Sequence, residues 1–110
     1  MNHKIIAVDF DGTLCEHKYP EIGEPNRELI DHLIEEQQHG AKLILWTCRC
    51  GYYVSLAFEW CWKQGLKFDA VNRNVTEAIA MFGEDSRKVF AHEYIDDRAS
   101  TRFKLPFVKE

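Results

Sequence analysis

The chain has 110 residues and a formal net charge of −4, long enough for one domain with its own core and without the basic block of a protein that grips nucleic acid unaided. No apolar run approaches the roughly 18 residues of a membrane span, and MNHK leads into a strand rather than a secretory leader, so a cytoplasmic location is expected. Its four cysteines, Cys15, Cys48, Cys50 and Cys61, show no paired CxxC spacing, which argues against a zinc site or a disulfide framework and makes reduced thiols the default.

In chain order, the apolar run Ile5, Ile6, Ala7, Val8 predicts a buried parallel strand over residues 4–9. It ends in Asp9 and Asp11, before Gly12. Alternate residues of an extended strand share a side, so the two carboxylates are expected to converge, while Gly12 permits a sharp turn. The segment LCEHKYPEIGEP, broken by Pro20, Gly23 and Pro25, reads as a loop or small hairpin flap. Asn26 can cap a helix that carries Leu29, Ile30, Leu33 and Ile34 on one face and stops at Gly40. A second buried strand over 42–46 ends in Thr47-Cys48-Arg49.

A helix over residues 53–64 places Leu56, Ala57, Trp60 and Cys61 at core spacing and stops at Gly65. A short strand is expected over 68–72, then a helix capped by Asn74 or Thr76, carrying Ala78, Ile79 and Phe82 and ended by Gly83. Lys88 introduces a strand over 89–95 that runs into Asp96, Asp97 and Arg98, and residues 105–108 suggest an edge strand. This alternation predicts a single domain with a doubly wound, mainly parallel, Rossmann-like α/β sheet in three layers. Its first, second and fourth strands would all deliver polar residues to the carboxyl edge, where such sheets bind ligands.

The order DFDGT, a strand ending in Thr47, then Lys88, then Asp96-Asp97 resembles the four motifs of the haloacid dehalogenase superfamily of phosphohydrolases, over nearly the whole chain. More narrowly, VDFDGT, IGEP, LILWTCR, EWC and YIDDR are similar to segments of small uncharacterised hydrolases of that superfamily from bacteria and phages, which lack a cap domain. The resemblance implies phosphate-ester hydrolysis, with Asp9 as the nucleophile that forms an aspartyl-phosphate and Asp11 as the group that protonates the leaving oxygen and then activates water. It implies Mg²⁺, for which Asp9, the backbone carbonyl of Asp11 and Asp97 would be the protein ligands, with Asp96 supporting or sharing that role. Thr47 and the Cys48 backbone N–H would hold phosphate oxygens, and Lys88 would bring positive charge to the same group and to Asp9. Gly12 and Thr13 would support the turn. Asp11 selects the branch, because dehalogenating, phosphonate-cleaving and ion-pumping members lack an acid there.

Arg49 could hold a second anionic group of the substrate or pair with a surface carboxylate. Glu16 and His17 in the flap could touch substrate or stay solvated, and Cys48 and Cys50 have no partner histidine that would make either a nucleophile. Two other classes compete with the enzyme reading. A phosphoacceptor receiver module also combines acids, a Thr and a Lys, but its acceptor Asp lies on a middle strand after a separate acidic pair. A catalytically silent binding protein would be expected to have lost some of these residues, and every expected position is filled. With only a flap and no cap, the substrate should be large, such as a nucleotide or a nucleic-acid end, or a second subunit should cover the site.

Overall fold

The computed structural model of the protein describes residues 3–97. Four strands and three helices alternate: β1 (Ile5–Val8), α1 (Arg27–Gln38), β2 (Lys42–Leu45), α2 (Gly51–Lys63), β3 (Ala70–Val71), α3 (Thr76–Phe82) and β4 (Glu93–Ile95). The strands form one parallel sheet in the order β3-β2-β1-β4. Arg98 and the edge strand expected over 105–108 lie outside the described residues. Among the described residues no helix is long and apolar enough to cross a membrane.

The uninterrupted apolar runs of β1 and β2 are explained by burial on both faces. Ile6 and Val8 of β1 and Leu43 and Leu45 of β2 join Leu29, Ile30 and Leu33 of α1 and Ala57 and Cys61 of α2. On the other face Ile5, Ala7 and Ile44 pack with Ala70, Val75, Ala78 and Val89, placing α3 opposite the other two helices. Each fully buried Leu or Ile contributes about 1.5–3 kcal/mol relative to an exposed one, so the two central strands are anchored from both sides. Phe10, just beyond β1, is also fully buried and meets Trp60 of α2 edge-on at 5.6 Å. The chain end that carries Asp9 and Asp11 is therefore pinned by its neighbours.

Asn26 caps α1 as expected, its side chain accepting from Leu29 N at 3.3 Å. Its Nδ2 also donates to Thr13 O at 3.0 Å, which fastens the start of α1 to the loop after β1. The cap of α3 differs from both sequence candidates. Val75 holds that position without a side-chain bond, because Asn74 spends its side chain on Asp85 Oδ1, Ser86 O and Phe90 N, and Thr76 is already helical. Gly83 ends α3 in the left-handed region, as its placement suggested.

All four strands are shorter than expected, β3 and β4 the most. Just before β3 the Asp69 carboxylate takes the amide of Leu43 at 2.8 Å, so the ladder with β2 starts only at Ile44 and Ala70. Before β4, Phe90 N donates to the Asn74 side chain and His92 Nδ1 accepts from Ile5 N, while His92 N still donates to Ile5 O at 2.7 Å, so backbone pairing with β1 begins only at His92. In contrast, α2 starts two residues before the expected 53, directly after Cys50, bringing its first turn close to the polar end of β2.

The chain moves outward from β1 through β2 to β3, then α3 returns it to the opposite side of β1. The direction of winding thus reverses between β1 and β4. Crevices in open α/β sheets form at this reversal, outside the carboxyl ends of the strands. Asp9 follows β1 and Asp96-Asp97 follow β4, so both flank it.

Candidate active site

Asp9 leaves the sheet still tied to it, its amide donating to Ile95 O at 2.9 Å. The amides of Thr13 and Leu14 then donate back to Phe10 O at 3.1 and 2.9 Å, making a tight turn. Gly12 sits at φ +84°, and a Cβ there would lie 2.5 Å from Asp97 Oδ2, so both backbone conformation and close approach require glycine. Thr13 is fully buried. Its hydroxyl accepts from Asp97 N at 3.0 Å and donates to Asp9 Oδ2 at 3.4 Å, joining the end of β1 to the end of β4.

The result is a carboxylate trio. Asp9, Asp96 and Asp97 can each offer one oxygen, and these oxygens lie within 4.8 Å of one another. Burial first, and then the charge of Asp96, push the Asp9 carboxyl up from its ordinary 3.8 to about 7. Three hard oxygen donors this close together fit a small divalent cation such as Mg²⁺, whose charge would offset theirs.

Asp11 is not part of the trio. Convergence of Asp9 with Asp11 was expected from an extended strand, but β1 ends at Val8, and the turn at Phe10 breaks the alternation. The Asp11 carboxylate instead receives Arg49 Nε on Oδ2 and Nη2 on Oδ1, both at 2.8 Å. Arg49 is therefore neither a surface charge nor a free anion hook. Its side chain is 1% exposed, and its hydrogen bonds to Asp11 hold it firmly protonated. An ion pair was one of the two roles the sequence allowed for it, though with a surface partner rather than a residue of the cleft.

Around these groups lies a cleft of about 390 Å³ lined by Asp9, Asp11, His17, Tyr19, Thr47, Cys48, Arg49, Asp96 and Asp97. A second lobe of about 430 Å³ shares Asp9, Thr47, Cys48 and Asp96 with it and adds Trp46, Asn72 and Arg87. Thr47 is held at the junction, its amide donating to Asn72 Oδ1 at 2.8 Å and its hydroxyl accepting from Arg49 N at 3.1 Å. Cys48 beside it is exposed, as is Cys50, whereas Cys15 and Cys61 are buried and their thiols are pushed upward by burial, that of Cys15 to about 12.

Lys88 differs most from its expected place. It is exposed and lines neither lobe, while its neighbour Arg87 lines the second one together with Asp9. Arg87 reaches Asp85 Oδ2 at 3.0 Å and Asn72 O at 3.3 Å, which holds it near the carboxyl end of β3. Arg87, Asn72 and Tyr19 carried no motif. The only sequence signal for Asn72 was its place at the end of a predicted strand, and its φ of +53° is one that asparagine tolerates. Of the flap residues, His17 and Tyr19 line the cleft, whereas Glu16 pairs with Lys18 at 3.5 Å.

No protein-family model matches the chain, and no curated protein does. Among solved structures, a conserved protein from Bacteroides thetaiotaomicron superposes with a TM-score of 0.78 and is 45% identical, the match covering 89% of this chain and 78% of that one. Identity at that level over most of both chains reaches beyond a shared fold. The chain belongs to the same family as this conserved protein of Bacteroides thetaiotaomicron.

Proposed function

We propose that the protein is a Mg²⁺-dependent phosphatase of the haloacid dehalogenase type, without a cap domain, acting through an aspartyl-phosphate on Asp9. The observation that carries this reading is the trio Asp9, Asp96, Asp97 at the reversal point of the sheet, beside Thr47 and facing an open cleft. Phosphoryl transfer asks for little covalent chemistry from the protein. It asks for a nucleophile, positioning, and compensation of charge on the phosphoryl oxygens.

An Asp9 oxygen attacks phosphorus while the bond from phosphorus to the leaving oxygen breaks, and Asp11, once protonated with one of its oxygens released from the Arg49 fork, gives the leaving oxygen that proton. Asp11 then takes a proton from water as the water attacks the same phosphorus. The bond to Asp9 breaks, inorganic phosphate leaves, and both carboxyl groups return to their starting states. Thr47 and the Cys48 amide, at the end of β2, hold the equatorial oxygens. Asp9, Asp97 and the backbone carbonyl of Asp11, with Asp96 in support, would hold the cation, which would supply charge compensation. Thr13 keeps Asp9 and Asp97 in register through its two hydrogen bonds.

Arg87 fits the role of the protein cation in this site better than Lys88, because it shares a lobe with Asp9. Arg87→Ala is expected to lower kcat/KM about tenfold or more, in line with the about 1.5–3 kcal/mol carried by a hydrogen bond to a charged group. Lys88→Ala is expected to stay within about twofold of wild type, as surface substitutions commonly do. Steady-state kinetics on one aryl phosphate decides the matter, and the reverse ranking returns the role to Lys88.

The flap between Asp11 and Asn26 is the only insert beside the cleft within the described residues, so the site is open. An open site suits a large phosphate ester such as a nucleotide or a phosphorylated nucleic-acid end, or it is covered by a second copy of the chain. Tyr19, Tyr53 and Tyr52 continue the rim outward, with ring centroids 5.6 and 5.7 Å apart and at least 40% of each residue exposed. The test is a screen of aryl phosphates, sugar phosphates, nucleotides and phosphorylated oligonucleotide ends with Mg²⁺ and with excess chelator, alongside light scattering. Turnover that stops in chelator and favours ring-bearing esters is expected. A wild-type protein that hydrolyses none of them leaves a silent binding protein as the better reading, and a strict monomer that accepts only the smallest esters contradicts the open-site argument.

A further inference from the structure

We propose that Arg49 is a positioning residue that couples the flap to Asp11, so that seating a substrate beneath His17 and Tyr19 and aiming the acid/base group are one event. The Arg49 guanidinium is shared between the Asp11 carboxylate and the flap, two groups that the backbone joins only at the base of the flap, through the Asp11–Cys15 bridge. One side of it forks onto both oxygens of Asp11 at 2.8 Å. The other side donates to the flap, Nη1 to Pro20 O at 3.1 Å and Nη2 to Glu21 O at 2.9 Å. It also lies between two rings, 5.0 Å from the Phe10 centroid in the core and 4.9 Å from the Tyr19 centroid in the flap. Its own amide is bound to the Thr47 hydroxyl, so the connection is rooted in the wall that would hold phosphate.

The coupling follows from burial. A guanidinium buried to this degree needs its donors occupied and its charge offset, so it tolerates the loss of neither partner. Lifting the flap strips two carbonyls and the Tyr19 ring from it, and the fork on Asp11 is then solvated and freed to rotate. Removing the Asp11 charge likewise weakens the hold on the flap. Lysine cannot replace this residue, because a single ammonium cannot fork onto a carboxylate while donating to two carbonyls on its far side. The flap itself closes as a small hairpin, with Glu16 N donating to Glu24 O at 2.8 Å, so its amides report on how firmly it is held.

Amide hydrogen exchange over residues 16–24 of the full chain tests the coupling directly. Asp11→Asn and Arg49→Lys are each expected to speed exchange of the Glu16 amide about tenfold or more, although Asp11 lies outside the flap. Asp9→Asn removes another carboxylate of the same cleft without touching Arg49, and it is expected to change that exchange less than about twofold. Wild-type exchange in the Asp11 variant, or equal loosening in the Asp9 variant, would overturn the proposal.

The kinetic consequence rests on the phosphatase reading. Arg49→Lys is expected to lower kcat about tenfold more for an alkyl phosphate than for an aryl phosphate, with KM changed less than kcat, since a misaimed acid matters most for a poor leaving group. Equal losses for both esters would reduce Arg49 to a structural role. A wild-type chain with no phosphatase activity defeats the functional reading alone, and the exchange measurement then decides the coupling by itself.

Discussion

Asp9→Asn is expected to bring phosphatase turnover below about a thousandth of the wild-type rate, because the nucleophilic step carries much of an acceleration that in enzymes spans about 10⁶-fold or more. The same substitution should not cost stability. The Asp9 carboxyl stands at about 7 in the folded chain, against an ordinary 3.8, through burial and the charges of Asp96 and Asp97. A carboxyl raised in this way binds its proton more tightly in the folded than in the unfolded state, so it destabilises the fold progressively as pH rises from about 4 to 7, and the penalty is fully present above that window. An amide escapes the penalty. In chelator at pH 8, thermal melts of Asp9→Asn are therefore expected at or above the wild-type midpoint, and Mg²⁺ should raise the wild-type midpoint more than that of the variant. Retained turnover would remove Asp9 as the nucleophile, and a collapsed melting point would show that the carboxylate is needed for folding.

Asp11→Asn separates the second aspartate from the first. It leaves Asp9 to attack but removes the proton donor, so hydrolysis of an alkyl phosphate is expected to fall by about 10²–10⁴, the usual worth of general acid help. An aryl phosphate, whose phenolate leaves unaided, should lose far less in its first step. A burst of phenolate followed by slow turnover is expected, because Asp11 also activates the water that releases phosphate from Asp9. Rapid-mixing kinetics on the two esters distinguishes these steps, and equal losses without a burst would take Asp11 out of the acid/base role. The Arg49 fork matters to this variant, since Asn can accept only one of the two hydrogen bonds that Asp11 receives.

The sequence by itself determined the elements that depend on local pattern. The run Ile5–Val8 had to be a strand buried on both faces, and the spacing of Leu29, Ile30 and Leu33 behind Asn26 had to be a capped helix facing that sheet. Strand and helix in alternation dictated a parallel doubly wound sheet, so the placement of Asp9, Thr47 and Asp96-Asp97 at one edge was legible before any coordinates. Gly12 was legible too, although one of its two reasons, the nearness of Asp97, was not.

The tertiary structure alone decided which charges meet. Asp11 and Arg49 are 38 positions apart, and their fork exists because the turn at Phe10 swings one carboxylate away from the trio while the short loop between β2 and α2 carries Arg49 toward it. Neighbours in sequence were also separated, with Arg87 lining a lobe that Asp9 also lines and Lys88 lining neither, because that loop is set by Asp85 and Asn72 rather than by a strand. Ladder lengths in β3 and β4 likewise turned on Asp69 and Asn74 taking backbone partners that a neighbouring strand would otherwise hold. Periodicity reports which face a residue occupies. It carries no information on which distant side chain completes a buried hydrogen bond, and here those bonds set the geometry of the cleft.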